Sequence, residues 1–324
     1  MNPALLYPFI LAAGALQALG NSMNARLRGA LVNPWLAAAT SFAPIVFVFV
    51  TLFLVMPVPL PSAESLAAMP WYAPLGGLAG AVAVFGGLAL VDKVGAGPFN
   101  GLLITGNILT SLTIDALGLF GMRGGGFKRL PWLGGLLMVA GIVLIARKGR
   151  DATKEGKEEG EGHGEGHGEG HGEGHGMSGT LLYPFVLAAG ALQAVGVVLN
   201  AQLRGALVNP WLAAAVSFLP IVFVFLAVFA LRPTPLPRRE DLAGMPWWGP
   251  LGGLAGAVAV FGGLLFVDTV GAGAFNGLLI TANLLTSIAI DHFGWLGMPT
   301  CRAGLSRLAG AGLMSAGILL ISLF

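Results

Sequence analysis

Residues 28–39, RGALVNPWLAAA, occur again without a change at 204–215, and this repetition decides the fold. The same offset of 176 residues relates the whole of 5–146 to a second copy without a gap. The run PLGGLAGAVAVFGGL, for example, stands at 74–88 and again at 250–264. A unit of this length is too long for a solenoid repeat and indicates a duplicated domain. We interpret the chain as a fusion of two once-separate genes.

The composition of the chain predicts an integral membrane protein. Hydrophobic residues make up 56% of the sequence and charged residues 10%, and the mean hydropathy is +0.82. A soluble domain of this size does not need so much apolar surface. The hydrophobic composition makes the lipid bilayer the expected surroundings. The net charge of +2 gives no reason to expect a nucleic-acid partner. The chain has one cysteine, which excludes an intramolecular disulfide.

Each half contains five apolar segments, and about 20 residues are needed to cross the hydrocarbon of a bilayer as a helix. In the first half the segments run over roughly 5–27, 34–56, 71–91, 97–120 and 130–146, and the second half repeats them 176 residues later. The sequence therefore predicts an all-α membrane protein with ten transmembrane helices.

A polar, low-complexity stretch separates the two copies. It begins with a basic run at 147–150 and repeats Gly-His-Gly-Glu, with histidines at His163, His167, His171 and His175. Such a composition cannot bury apolar surface and is typical of a flexible linker. The predicted organisation is a first repeat at 1–146, a linker at 147–179 and a second repeat at 180–324.

An odd number of crossings per repeat determines the orientation of the second repeat. If the linker stays on one side of the membrane, the second repeat is inserted upside down relative to the first. With this arrangement 13 of the 17 Lys and Arg residues fall on the linker side, which is the side that basic residues mark as cytoplasmic. We therefore expect a bacterial or archaeal plasma-membrane protein with a cytoplasmic linker and both termini outside. Inverted repeats place substrate sites between the halves near the bilayer midplane.

Polar side chains recur at helical spacing on the first and fourth helix of each half, where their cost in lipid favours the protein interior or a water-filled path. The candidate substrate-binding residues are Gln17, Gln193, Asn21, Asn24, Asn200, Asn107, Asn283, Ser111 and Ser287. The central group would be the two glutamines with Asn107 and Asn283. The alternative is that these amides only hold neighbouring helices together by hydrogen bonds.

Other polar and aromatic residues allow two interpretations each. Asp115 and Asp291 near the end of the fourth helix could pair with following basic residues, such as Arg302 or Arg307, or could serve coupling or gating. The four linker histidines could bind a metal, although we favour a simple tether. Four tryptophans begin helices and suit an interfacial aromatic belt: Trp35, Trp71, Trp211 and Trp247.

With these motifs in view, each half resembles the YdcZ-like branch of the drug/metabolite transporter superfamily. The resemblance rests on Gly14-x-x-Gln17 followed by Asn24, on Asn-Pro-Trp from Asn33, and on the fourth-helix signature IDHFGWLGMP at 290–299. In the first half that signature reads DALGLFG from Asp115. The fifth helix is similar to the helix that pairs subunits in small multidrug resistance proteins.

The resemblance implies an internally fused antiparallel pseudo-dimer that works by alternating access as a single chain, with no catalytic residues and no cofactor. Small multidrug resistance proteins exchange protons through a first-helix glutamate, whereas this chain has Gln17 and Gln193. We therefore expect a transporter of a small polar metabolite. The alternatives are a drug or organic-cation exporter coupled through Asp115 or Asp291, a metal-ion transporter, and a non-transporting membrane scaffold.

Overall fold

The computed structural model describes residues 3–82, 96–122, 124–158, 179–231, 236–298, 300 and 303–324. In these residues the regular secondary structure is helical, and turns and irregular segments join the helices. The first repeat contains α1 (Tyr7–Leu31), α2 (Pro34–Val55), the short α3 (Ala63–Ala67), α4 (Ala73–Val82), α5 (Ala96–Leu117) and α6 (Arg129–Glu158). The second contains α7 (Gly179–Leu207), α8 (Pro210–Leu231), the short α9 (Arg239–Ala243), α10 (Gly252–Val270), α11 (Ala272–Phe293) and α12 (Leu305–Leu323).

The length and composition of these helices fit a membrane protein. Seven helices in the described ranges are long and apolar enough to cross a membrane. Ala73–Val82 and Arg129–Ile145 are shorter apolar helices. The remainder of the third predicted segment, 83–95, lies outside the described residues, so the count of ten crossings stays a prediction.

The Asn-Pro-Trp motif of each repeat starts the second helix. Asn33 accepts hydrogen bonds at Oδ1 from the backbone N–H groups of Trp35 and Leu36, at 3.0 and 3.1 Å. Asn209 does the same for Trp211 and Leu212. The asparagine is thus an N-cap, and the following proline occupies the first helical position, where its missing N–H costs nothing. The motif lets α1 turn directly into α2.

The fifth helices of the two repeats, α6 and α12, pack against each other in opposite directions. A Cβ added at Gly134 would stand 2.5 Å from the carbonyl oxygen of Gly317, and one added at Gly141 would stand 2.5 Å from that of Gly310. Rising numbers on one helix therefore meet falling numbers on the other. Equivalent helices that cross antiparallel in this way are the signature of an inverted repeat, as the odd number of predicted crossings requires.

The second helices, α2 and α8, also cross antiparallel, through aromatic rings. Phe42 lies against Phe218 with ring centroids 6.3 Å apart, and Phe49 near the end of α2 stacks on Trp211 at the start of α8 at 6.5 Å. Trp35 stacks in the same way on Phe225, at 6.4 Å. This contact accounts for the apolar face that the two helices share, whereas exposed apolar side chains such as Phe47 and Phe223 suit contact with lipid.

The aromatic contact corrects one prediction. Trp35 is only 6% exposed, and Trp211 is partly buried and stacks on Phe261 at 5.0 Å, so neither belongs to an interfacial belt. Trp71 and Trp247 are 80% and 81% exposed, as a belt requires. All four tryptophans begin helices, so this position does not tell the buried Trp35 and Trp211 from the exposed Trp71 and Trp247. Burial of the first two depends on aromatic side chains of the other repeat.

The repeats interlock instead of forming two separate bundles. α1 packs mainly against α10 and α11 of the second repeat, and α7 packs mainly against α5 and α10. Each first helix is therefore held by the fourth helix of the other half, which is the arrangement that positions the candidate site.

The fifth helix of the first repeat runs further than its apolar segment. α6 continues as helical backbone to Glu158, through the beginning of the linker predicted at 147–179. The linker histidines, His163, His167, His171 and His175, lie outside the described residues, and their role stays a prediction.

Candidate amide-lined site between the repeats

Two matched amide pairs join the two repeats, each in a partly buried position. Nδ2 of Asn283 on α11 donates to Oε1 of Gln17 on α1, at 3.2 Å. Nδ2 of Asn107 on α5 donates to Oε1 of Gln193 on α7, also at 3.2 Å. The structure thus arranges the four residues of the predicted central group in two pairs. Each glutamine pairs with an asparagine of the other half.

A second pair of polar contacts lies farther along the first helices. Oγ of Ser41 donates to Oδ1 of Asn24 at 2.7 Å, and Oγ of Ser217 donates to Oδ1 of Asn200 at 2.9 Å. The amide of Asn24 rests against Gly252 of α10, where a side chain would collide with it. These contacts fit the alternative interpretation of Asn24 and Asn200, because their amides join neighbouring helices.

The two serines of the second helices were missed by the sequence analysis. Ser41 and Ser217 are 2% and 0% exposed, so their hydroxyls are fully inside the protein. The signal was present in the sequence, since both copies keep a serine at the same repeat position of a largely apolar helix. Its partner could not be read from the sequence because the hydrogen bond spans two helices.

The polar faces of the fourth helices meet at one end. Nδ2 of Asn276 on α11 donates to Oγ of Ser111 on α5 at 2.9 Å, and Ser111 in turn donates to the carbonyl oxygen of Asn107 at 2.8 Å. Ser287 likewise donates to the carbonyl oxygen of Asn283, at 2.8 Å.

Of the remaining candidate residues, Asn21 on α1 is exposed and its counterpart in the second repeat is Val197.

The two fourth-helix aspartates have different partners. Asp115 accepts hydrogen bonds from the backbone N–H groups of Ala272 at 2.8 Å and Gly273 at 2.6 Å, the first residues of α11 in the other repeat. A carboxylate there satisfies unpaired N–H groups and complements the helix dipole. Asp291 instead forms an ion pair with Arg307 of its own repeat at 3.2 Å, which is the pairing that the sequence suggested.

The fold and the amide-lined interface define the class of this protein: an all-helical membrane protein built from two inverted copies of one unit, with polar groups held between them. The family described as "Putative inner membrane exporter, YdcZ" matches residues 5–144 and, a second time, 181–320. The chain belongs to this family, and the double match shows the internal duplication.

The fold also occurs among solved structures. A structure described only as "Crystal structure of protein" superposes with a TM-score of 0.64 over 99% of this chain and 98% of that one. The two sequences are 18% identical, so the likeness concerns the fold alone. No curated protein matches the chain.

Proposed function

We propose that the protein exports a small polar solute, neutral or zwitterionic, by alternating access between its two repeats. The observation that carries this proposal is the pair of cross-repeat amide contacts, Gln17 with Asn283 and Gln193 with Asn107. Support comes from their position between the repeats, because inverted-repeat transporters bind their substrates at the interface of the two repeats. The direction of transport follows the description of the family as an exporter.

The chemistry of the amides supports an uncharged or internally neutralised solute. A carboxamide offers two donors and one acceptor without a charge, so it can bind hydroxyl, amide or carboxylate groups without exchanging a proton. Because the four amides are paired with each other in this structure, a solute could replace those bonds by its own at little net cost.

The distribution of charge also favours this class of solute. Among residues 3–145 and 182–324, the described Lys, Arg, Asp and Glu side chains lie near helix ends or in connecting segments. Asp115 and Asp291 both have protein partners. An exporter of organic cations coupled through these aspartates therefore has less support than an amide-lined site.

A ligand screen by thermal stability tests the proposal. Purified protein should be stabilised by members of one polar class among amino acids, sugars and polyamines. At about 100 times its Kd, a solute that binds only the folded state adds about 2.7 kcal/mol of stability. Uptake of that solute into everted vesicles should follow. Stabilisation confined to quaternary amines and lipophilic cations would contradict the proposal and favour the aspartate-coupled alternative.

The proposed orientation has the linker in the cytoplasm and both termini outside. In a Cys301→Ser background, a membrane-impermeant maleimide should label Glu165→Cys only after the cytoplasmic side is exposed. The same reagent should label Asn2→Cys and Phe324→Cys from outside. Labelling of both termini from the cytoplasmic side would contradict the assignment of sides, which rests on the excess of basic residues.

We further propose that one chain is the working unit. The interface between α6 and α12 joins the two repeats inside one molecule, and each repeat contributes the equivalent surface of its fifth helix. Gly134 and Gly141 of α6 meet Gly317 and Gly310 of α12. A second copy is not needed to complete the amide pairs, since each pair draws one residue from either repeat.

A further inference from the structure

The fourth helices are buried at one end and accessible at the other. On α5, Ser111 and Asn107 are 0% and 3% exposed, whereas Asn100, on the same face two turns nearer the start, is exposed. On α11 the order is reversed along the chain: Asn276 is 4% exposed, whereas Ser287, eleven residues later, is only partly buried. Because the helices are antiparallel, both trends run in the same direction through the molecule.

The first helices show the same difference between the ends. Asn200 on α7 is 5% exposed, whereas its counterpart on α1, Asn24, is only partly buried. Asn21 is exposed, and its counterpart Val197 is partly buried. We call the end at which α5 finishes and α11 begins the Asp115 end, and the opposite end the Asp291 end. The polar faces are covered at the Asp115 end and accessible at the Asp291 end.

Two sets of contacts cover the Asp115 end. Asn276 bonds Ser111 at 2.9 Å, and the carboxylate of Asp115 binds the backbone N–H groups of Ala272 and Gly273. Both contacts join α5 of one repeat to α11 of the other. They hold the two fourth helices together at this end.

The same residue types stand at the Asp291 end in a different arrangement. The positions that correspond to Asn276 and Ser111 are Asn100 and Ser287, of which Asn100 is exposed. Asp291 corresponds to Asp115, but its carboxylate is held by Arg307, which lies in its own repeat. The first repeat has Pro131 where the second has Arg307, so the arginine that holds Asp291 has no counterpart beside Asp115. Lys128 lines the same cavity as Asp115 but donates to the carbonyl oxygen of Phe324.

We propose that these contacts form a gate whose two ends close alternately, and that Arg307 makes the ends unequal. When the Asp115 end opens, the bonds of Asn276 and Asp115 break. Asn100 then bonds Ser287, and the carboxylate of Asp291 leaves Arg307 for the N-terminus of α5. The bonds lost at one end are replaced by the same kinds of bond at the other, so the exchange is balanced except for the ion pair of Asp291 with Arg307. This proposal rests on the alternating-access mechanism above.

The balance depends on charge-assisted bonds. A carboxylate at the N-terminus of a helix makes stronger hydrogen bonds than neutral partners do. Removing the carboxylate of Asp115 should therefore shift the population toward opening of that end. Freeing Asp291 from Arg307 should shift it in the same direction, because Asp291 can then close its own end. Each substitution is expected to raise labelling at one end and to lower it at the other, which a merely structural role does not predict.

Thiol labelling at two equivalent positions tests the gate. The reporters are Val197→Cys near the Asp115 end and Asn21→Cys near the Asp291 end, each alone in a Cys301→Ser background. Asp115→Ala should raise the rate of maleimide labelling at Val197→Cys by about tenfold or more. Arg307→Gln should slow labelling at Asn21→Cys and speed it at Val197→Cys. Glu240→Ala, which removes an exposed carboxylate outside the spanning helices, is the matched control and should change neither rate.

Labelling needs no solute, so it separates the gate from the proposed function. If both rates change as expected but no solute is transported, the gate stands and the export function fails. If Asp115→Ala is folded and its labelling is unchanged, or if Arg307→Gln has no effect or slows labelling at Val197→Cys, the gate is wrong. Should Asp115→Ala not fold, Arg307→Gln decides alone, because it leaves the contacts of the Asp115 end intact.

Discussion

Gly310→Leu should prevent the protein from folding, or destabilise it by at least about 3 kcal/mol. Gly310 is buried on α12, and a Cβ there would stand 2.6 Å from the carbonyl oxygen of Gly141 on α6. A leucine would force the two backbones apart along the surface that joins the repeats. In a membrane, helices associate largely through such close packing of small residues, because lipid supplies no hydrophobic drive between them.

The same helix supplies a matched control for this prediction. Gly312, two residues later, is exposed and has no atom within 4 Å of where its Cβ would be. Gly312→Leu should therefore keep the yield, the monodisperse elution in detergent and the melting temperature of the unaltered protein. Equal behaviour of the two leucine variants would show that the contact between α6 and α12 does not hold the repeats together.

Removing the amides at the centre should abolish most solute binding while the protein stays folded. Gln17→Ala and Gln193→Ala are each expected to weaken binding by about 1–3 kcal/mol, or roughly ten- to a hundredfold. Each change removes a hydrogen-bond partner for the solute and leaves Asn283 or Asn107 without its present acceptor. The double variant should bind more weakly than either single variant, since the two pairs are related by the repeat.

Binding to the solute found in the thermal screen is the measurement, and the melting temperature without solute is the check on folding. Ser22→Ala is the control on the same helix, because the hydroxyl of Ser22 bonds only the carbonyl oxygen of Ala18 one turn earlier, at 3.2 Å. It should bind the solute normally. If both glutamine variants also bind and transport normally, the site lies elsewhere, and the α11 stripe from Asn283 to Asp291 becomes the next candidate.

Several parts of the candidate site could be predicted because they follow from local pattern. The N-cap role of Asn33 depends only on the residues that follow it, and the pairing of Asp291 with Arg307 stays within one repeat. The grouping of Gln17 with Asn283 could be anticipated from inversion and equal depth. In contrast, the carboxylate of Asp115 is bound by backbone N–H groups at the start of α11. No pattern of side chains in the sequence marks such a partner.

The sequence by itself determined the class of this protein. Long apolar segments require helices in a bilayer, because every backbone polar group must be satisfied within the segment. A copy of the same segments after an odd number of crossings then requires inversion. These conclusions need only hydropathy and counting, and the antiparallel contacts of α6 with α12 agree with them.

Only the tertiary structure decided how equivalent residues differ. Asn100 and Asn276 occupy the same repeat position and have the same local preferences. Asn100 is nevertheless exposed, whereas Asn276 is buried and donates a hydrogen bond to Ser111. Trp35 and Trp71 both begin helices, yet one is packed between the repeats and the other is 80% exposed. A duplicated sequence gives each residue type twice with one set of local preferences. Which copy is covered depends on how the two halves pack, because burial is set by contacts between residues far apart in the chain.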